Sequence, residues 1–330
     1  MAAEIIENVT VNYTWNGEVT NDVILSPVAQ DEDISLLFTI KEGIKSKFQI
    51  HLADQLGDVT TAYSGCGLGD TATGVDITNK TLEVSDFQVY REQCADVFDD
   101  TVFELAKKSG VDRNDLTGTQ IQNGIITPLL APATARDMFA MATFGDTGSL
   151  DPLLSLMDGQ WTKLIAGVAT YEVTKSSVSF GATLAAGEAL SGLEATYTES
   201  KLALKQIKPS DKAFYVTVEV FENYQKSLET LGGTDSGWKV VQDGVQKLYF
   251  RGIEVIPMYG WSRVIEAKSI ADPHRILYTT KANHILGFDS RADSSKLKMW
   301  FSDDDDKMKY LFRYRMGYEY INADLQTITY

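Results

Sequence analysis

Hydrophobic positions alternate with polar ones from the start of the chain. Val9, Val11, Tyr13 and Trp15 face one way, and Asn16-Gly17 offers a tight turn before Val19, Val23 and Leu25 resume the pattern, which predicts a hairpin. Leu36, Phe38 and Ile40, then Phe48, Ile50 and Leu52, predict two further short strands. Residues 53–80 are rich in Gly, Thr, Asp and Ser and predict a long exposed loop. Strand patterning returns at Leu82, Val84, Phe87 and Val89, with a shift at Ser85-Asp86 that predicts a bulge. A helical period follows. Thr101–Glu104 forms a capping box and Gly110 a stop. A longer apolar period runs from Thr119 to Phe144, where Pro128 and Pro132 are expected to kink or divide the helix and Gly145 to end it. Asp151-Pro152 opens a short helix that Gly159 closes.

The second half mixes both periods. A helix is predicted over 188–207, a strand through Phe214, Val216, Val218 and Val220, and a helix face at Phe221, Tyr224, Leu228 and Leu231. Strands are expected around 247–257, 275–280 and 296–301. The clearest segment is the last. Met308, Tyr310, Phe312, Tyr314, Met316, Tyr318 and Tyr320 hold every even position, with Lys309, Arg313, Arg315 and Glu319 between them. That is a long strand with one aromatic and one mostly charged face. The element order is α+β rather than a regular βαβ alternation.

Composition narrows the function. The 330 residues are enough for about two compact units. The net charge of -16 disfavours a specific nucleic-acid reader, whose affinity rests on basic residues against phosphate. Two cysteines, Cys66 and Cys94, make no disulfide framework and point to a reducing compartment. The first residues show no basic region leading into an apolar core, so no signal peptide is expected. No apolar run is long enough to span a membrane as a helix.

Candidate chemistry is sparse. Gly65-Cys66-Gly67-Leu68-Gly69 has the glycines of a phosphate loop, but no helix opening and no Lys-Ser/Thr end follow. Thr234-Asp235-Ser236-Gly237 has the look of a serine nucleophile segment, yet none of His51, His274 and His284 sits in a companion motif. Histidines and cysteines lack metal-ligand spacing, and the acidic run Asp303 to Asp306 lacks the interleaving and terminal Glu of a calcium loop. The 308–320 strand separates its rings from its charges, unlike a single-strand nucleic-acid platform. No catalytic, cofactor-binding or metal residues are therefore assigned, no cofactor is expected, and a non-enzymatic protein is predicted.

The order of these segments resembles the major capsid proteins of tailed bacteriophages. KTLEVSDFQVYREQCADVF (Lys80 to Phe98) looks like the return of an extended loop. The stretch from Thr117 to Thr147 looks like a spine helix. KAFYVTVEVFENYQKSL (Lys212 to Leu228) and KLYFRGIEVIPMYGW (Lys247 to Trp261) look like axial-domain elements, and His274 to Asp289 and Tyr310 to Asp324 complete the series. The resemblance implies a Hong Kong 97-type α+β fold. Its parts would be an N-terminal arm (1–40), an extended loop region (41–90), a peripheral domain with the spine helix (91–187), an axial domain (188–290) and a C-terminal return to the peripheral domain (291–330). It also implies self-assembly into pentamers and hexamers of an icosahedral shell, with scaffolding, portal and other virion proteins as partners. The shell would enclose double-stranded DNA without sequence-specific binding and would involve no membrane. The location implied is the virion, assembled in the host cytoplasm. No Lys–Asn crosslink position of that family can be matched here. The alternatives are a nanocompartment shell enclosing a cargo enzyme and, of another class, a serine hydrolase built around Ser236.

Overall fold

The computed structural model describes residues 32–53, 77–94, 127–230, 239–242, 245–289, 298–302, 304–305 and 307–330. The first half holds α1 (Glu32–Leu37), β1 (Thr39–Lys41), β2 (Lys47–Ala53), β3 (Ile77–Glu83), β4 (Ser85–Cys94), α2 (Thr127–Phe144), α3 (Gln160–Ala169) and β5 (Thr174–Lys175). Next come α4 (Glu188–Glu199), α5 (Leu202–Gln206), β6 (Lys212–Val216), α6 (Val218–Thr230), β7 (Lys239–Gln242), β8 (Val245–Phe250) and β9 (Ile253–Pro257). The chain finishes with α7 (Tyr259–Lys268), β10 (Ile276–Thr280), β11 (His284–Phe288), β12 (Lys298–Ser302), β13 (Lys307–Tyr320) and β14 (Gln326–Thr329). The hairpin expected at 9–25 and the helix expected at 101–110 lie outside the described residues.

The first sheet is organised on β13, whose 14 residues are enough for two partners on one edge. β11 pairs with Met316–Tyr320 and β12 with Lys307–Leu311, both antiparallel. β4 runs antiparallel along the other edge from Lys307 to Met316, and β1 adds to β11 in parallel. The expected division of faces holds: Phe312, Tyr314, Met316, Tyr318 and Tyr320 are buried, whereas Arg313 is exposed. Tyr318 meets Phe38 edge to face at 5.6 Å, and Tyr314 meets Phe87 at 5.4 Å, geometries that add to the area they bury.

The second sheet has the order β5-β14-β10-β6-β9-β8-β7. It is covered on both faces. Ala213, Tyr215, Ile256, Leu277 and Ile328 point to the core shared with α2, α3, α7 and the first sheet. Phe214, Val216, Val255, Ile276 and Tyr278 point to a second core under α4 and α6. Every residue of β6, β10 and β14 is buried for this reason. The β8–β9 connection is a two-residue turn in which Arg251 and Gly252 both take positive φ, matching the twist of a hairpin.

Several elements differ from expectation. Leu36 belongs to α1, because Ile34 and Leu37 bury one helical face and Phe38 N–H donates to Ile34 O; the strand starts only at Thr39. Ile77–Lys80 is strand rather than loop and pairs with β2; residues 54–76 of the expected loop lie outside the described residues. There is no bulge at Ser85-Asp86. The chain instead changes partner at Val84, where β3 leaves β2 and β4 takes up β13, and Val84 N–H is taken by Ser46 O. α2 is not divided. Pro128 sits in the first turn, where amides have no intrahelical partner, and Pro132 removes a single bond in the next. The 188–207 helix is two helices, since Ser200 and Lys201 are extended. The strand through Phe214 stops at Val216. Val218 and Val220 belong to α6, whose start is fixed by Val218 N–H donating to Ser262 Oγ.

His284, on β11, is fully buried, with Nδ1 2.7 Å from Tyr318 Oη. Burial pulls its pKa from 6.5 to about 3. The unfolded chain takes up this proton below about pH 6.5 and the folded chain only near pH 3, so the stability is present above that window and lost as pH falls through it. The slope approaches about 1.4 kcal/mol per pH unit. Urea titrations from pH 7 to pH 4 are expected to show this limb flattened in His284→Gln relative to the native chain. A second prediction concerns Gly317 on β13. A Cβ there would lie 1.9 Å from Glu83 O, whereas one at Gly181 would meet nothing nearer than 3.7 Å. Gly317→Ala is expected to cost about 1–3 kcal/mol in urea unfolding, and Gly181→Ala much less.

Candidate assembly surfaces

The residues considered for chemistry are not brought together. His51 is exposed on β2, with Nδ1 2.6 Å from Asn79 Oδ1 of β3. His274 is buried, with Nε2 3.2 Å from Ala182 O, and His284 is spent on Tyr318. No group of three His, Cys, Asp or Glu that could hold a metal occurs among the described residues. Gly65 to Gly69, with Cys66, and Thr234 to Gly237, with Ser236, lie outside the described residues. Within the acidic run, Asp303 and Asp306 do too. Asp305 is tied to its own strand, pairing with Lys309 and accepting from Ser302 Oγ. No described helix is long and apolar enough to cross a membrane. A cavity of about 350 Å³ between α4 and α6 is lined by Leu184, Leu190, Asn223 and Lys226. Its one amide is already committed, because Asn223 donates to Ala185 O and accepts from Ala189 N–H.

What the fold does present is surface with the geometry for contact. β2 and β3 form a two-stranded ribbon outside both larger sheets, about 23 Å long for seven residues. A two-stranded ribbon has too little core to be stable alone. This one is fixed at its base. Ile44, Ile50 and Leu82 pack with Ile285 of β11, and Gly287 and Gly317 leave room for the ribbon to lie close to the first sheet. Lys47 and Glu83 pair across it.

A polar latch holds its flank. The Lys80 ammonium lies 3.4 Å from the centroid of the Tyr320 ring. Tyr320 Oη donates to Glu172 at 3.3 Å, and Lys163 donates to Glu319 at 2.7 Å and to Tyr318 O at 2.6 Å. Burial lowers the Lys80 pKa, while the charges of Glu319 and Glu172 oppose that shift. The ring face and two carboxylates thus keep a half-buried cation in place. Arg315 also joins the ribbon base to the sheet, pairing with Asp86 and Asp289 and donating to Lys45 O.

Phe144, the last residue of α2, packs against a buried cation. Arg275 lies 5.2 Å from the Phe144 ring and 4.7 Å from Trp161, and donates to Ala271 O and Asp272 O. Burial lowers its pKa to about 10, so it stays charged at neutral pH. Sequence reasoning did not single out Lys80, Glu172 or Arg275. Only proximity across long stretches of chain makes them a set.

No protein-family model and no curated protein matches the sequence. Solved structures do match it. A chain of the satellite phage P4 procapsid including size determination (Sid) protein superposes with a TM-score of 0.57 at 11% identity, covering 94% of this chain and 98% of that one. A Gordonia phage Cozz chain gives 0.55 at 11% identity, over 91% and 85%. A chain from the capsid of an empty GTA particle gives 0.52 at 12% identity, over 92% and 88%. At such identities the shared property is the architecture: this chain has the Hong Kong 97-type capsid fold.

Proposed function

We propose that this chain is a major capsid protein of a tailed bacteriophage, a shell subunit that self-assembles into an icosahedral capsid around double-stranded DNA. The observation that carries this reading is the match to a chain of the satellite phage P4 procapsid over 94% of this chain and 98% of that one, beside a chain from the capsid of an empty GTA particle over 92% and 88%. In this reading α2 and β13 belong to the peripheral part and β6 to β10 with α4 and α6 to the axial part, while β11, at the end of the 188–290 division, and β14, within 291–330, pair across the divide. The divisions at 1–40, 41–90, 91–187, 188–290 and 291–330 belong to the same proposal. The ribbon β2–β3 is the grip laid on a neighbouring copy. Contacts between obligate partners bury on the order of 2,000–5,000 Å², and projecting elements supply such area without enlarging the subunit. A net charge of -16 suits a container that must not bind its contents tightly. Pentamers and hexamers of this chain, scaffolding and portal partners, a virion location and assembly in the host cytoplasm follow from the same reading, as does a non-enzymatic role.

Negative-stain microscopy of the concentrated protein, alone and with co-expressed phage proteins, is expected to show closed shells, tubes or capsomer rings. A strictly monomeric species in every condition would overturn the proposal. Particles that hold a protein cargo rather than DNA when recovered from infected cells would favour the nanocompartment alternative, and covalent labelling of Ser236 by a serine-reactive probe would favour the hydrolase. Lys80→Met removes the latch charge but keeps the stem. It is expected to lower subunit stability by only about 1 kcal/mol while reducing the yield of particles several-fold by sedimentation.

A further inference from the structure

Helix α3 has an exposed apolar group at each end, about 15 Å apart by its own rise. Before it, the loop 145–159 presents Leu150 at 102% exposure and Leu156 at 49%. The loop is braced from within. Asp146 accepts from Gly148 N–H at 2.9 Å, Asp158 from Thr147 N–H at 2.9 Å and Oγ1 at 2.8 Å, and Asp151 from Leu153 N–H at 2.9 Å. Leu150 is therefore displayed on an ordered loop. The segment has three carboxylates and no Lys or Arg of its own; Lys268 of α7 pairs with Asp151.

At the other end, α3 stops at Tyr171, which is 93% exposed and has φ of 62°. This left-handed position after a helix is where glycine is favoured, since a side chain there strains the backbone. Glu172 O accepts from Lys201 Nζ at 3.1 Å, which brings the start of α5 alongside with Leu202 at 68% exposure. Residues 201–208, KLALKQIK, hold three lysines and no acid. One end of α3 thus carries three carboxylates beside its apolar groups; the other carries Lys205 and Lys208 beside Tyr171 and Leu202, together with Glu172 and the paired Lys201 and Asp324.

We infer that these ends are the two halves of one head-to-tail contact between copies of this chain. Leu150 and Leu156 of one copy pack against Tyr171 and Leu202 of the next, and the loop carboxylates face Lys205 and Lys208. The inference rests on the shell-subunit reading and deepens it by naming the contacting surfaces. A self-paired two-fold contact at the acidic end would set like charges together, whereas head-to-tail pairing sets those carboxylates against Lys205 and Lys208 and repeats around a ring. The contact also gives a reason for a tyrosine where the isolated subunit would favour glycine.

Two measurements test it. Leu150→Cys and Leu202→Cys proteins are mixed, assembled and treated with a short bismaleimide, with unsubstituted protein as the control for Cys66 and Cys94. A 150–202 link between copies is expected in the particles, at least ten-fold above the control by mass spectrometry. Particles without that link overturn the contact and leave the shell reading standing; failure of every mixture and of the native chain to form particles overturns both. Tyr171→Gly is expected to leave the melting temperature of the unassembled subunit unchanged or raised, and to raise the concentration needed for assembly ten-fold or more. A lowered melting temperature with unchanged assembly would make Tyr171 an internal packing residue and overturn the inference.

Discussion

The ladder of hydrogen bonds along both edges of β13 is the constraint on which the rest depends. Only a strand of 14 residues can hold β11 and β12 end to end on one side and the ten residues of β4 on the other. Its aromatic face then sets where the main core must be, because each ring needs cover that one sheet cannot give. That cover comes from Phe38 and Met138 in the shared core. The change of partner at Val84 follows from the same ladder. β4 ends its pairing at Met316, so the chain beyond is free to turn away as the ribbon. Gly317, the next residue, removes the side chain that would block this departure.

The alternation on β13 was legible because burial of one face leaves a period of two in the residue types. The stop of α2 at Gly145 and the role of Asp151 in starting the next turn were legible for local reasons as well, since caps and stops involve neighbours in sequence. β14 was not. Its buried residues are Gln326, Thr327, Ile328 and Thr329, and they satisfy one another's neighbours: Thr329 shares hydrogen bonds with Ser176 and Thr196, and Gln326 accepts from Asn283. A polar core strand is invisible to a hydrophobic pattern. α7 did leave a signal in Trp261, Val264, Ile265 and Lys268, which Gly260 next to Tyr259 obscured. The glycine inside the β13 pattern was another available sign, since glycine within a strand marks close approach of another backbone.

The candidate surfaces were less legible than the fold. Exposure decides them, and exposure is a property of the folded whole. Leu150 and Tyr171 are ordinary letters in the sequence; their isolation from any core appears only when α3 is placed. The Lys80 latch joins residues from β3, β13 and the segment after α3, so no spacing could announce it. The absence of recognisable active-site motifs, by contrast, was a local property of the sequence.

The position of β14 also bears on how the subunit comes into being. It fills the place between β5 and β10, and all of its residues are buried. Until residues 326–329 have been synthesised, the edge of β10 stays open and Ser176 and Thr196 lack their bonds to Thr329. A chain interrupted anywhere before them would carry an unfinished sheet, however complete its ribbon and β13. Fragments lacking β14 would be left with an open, adhesive sheet edge.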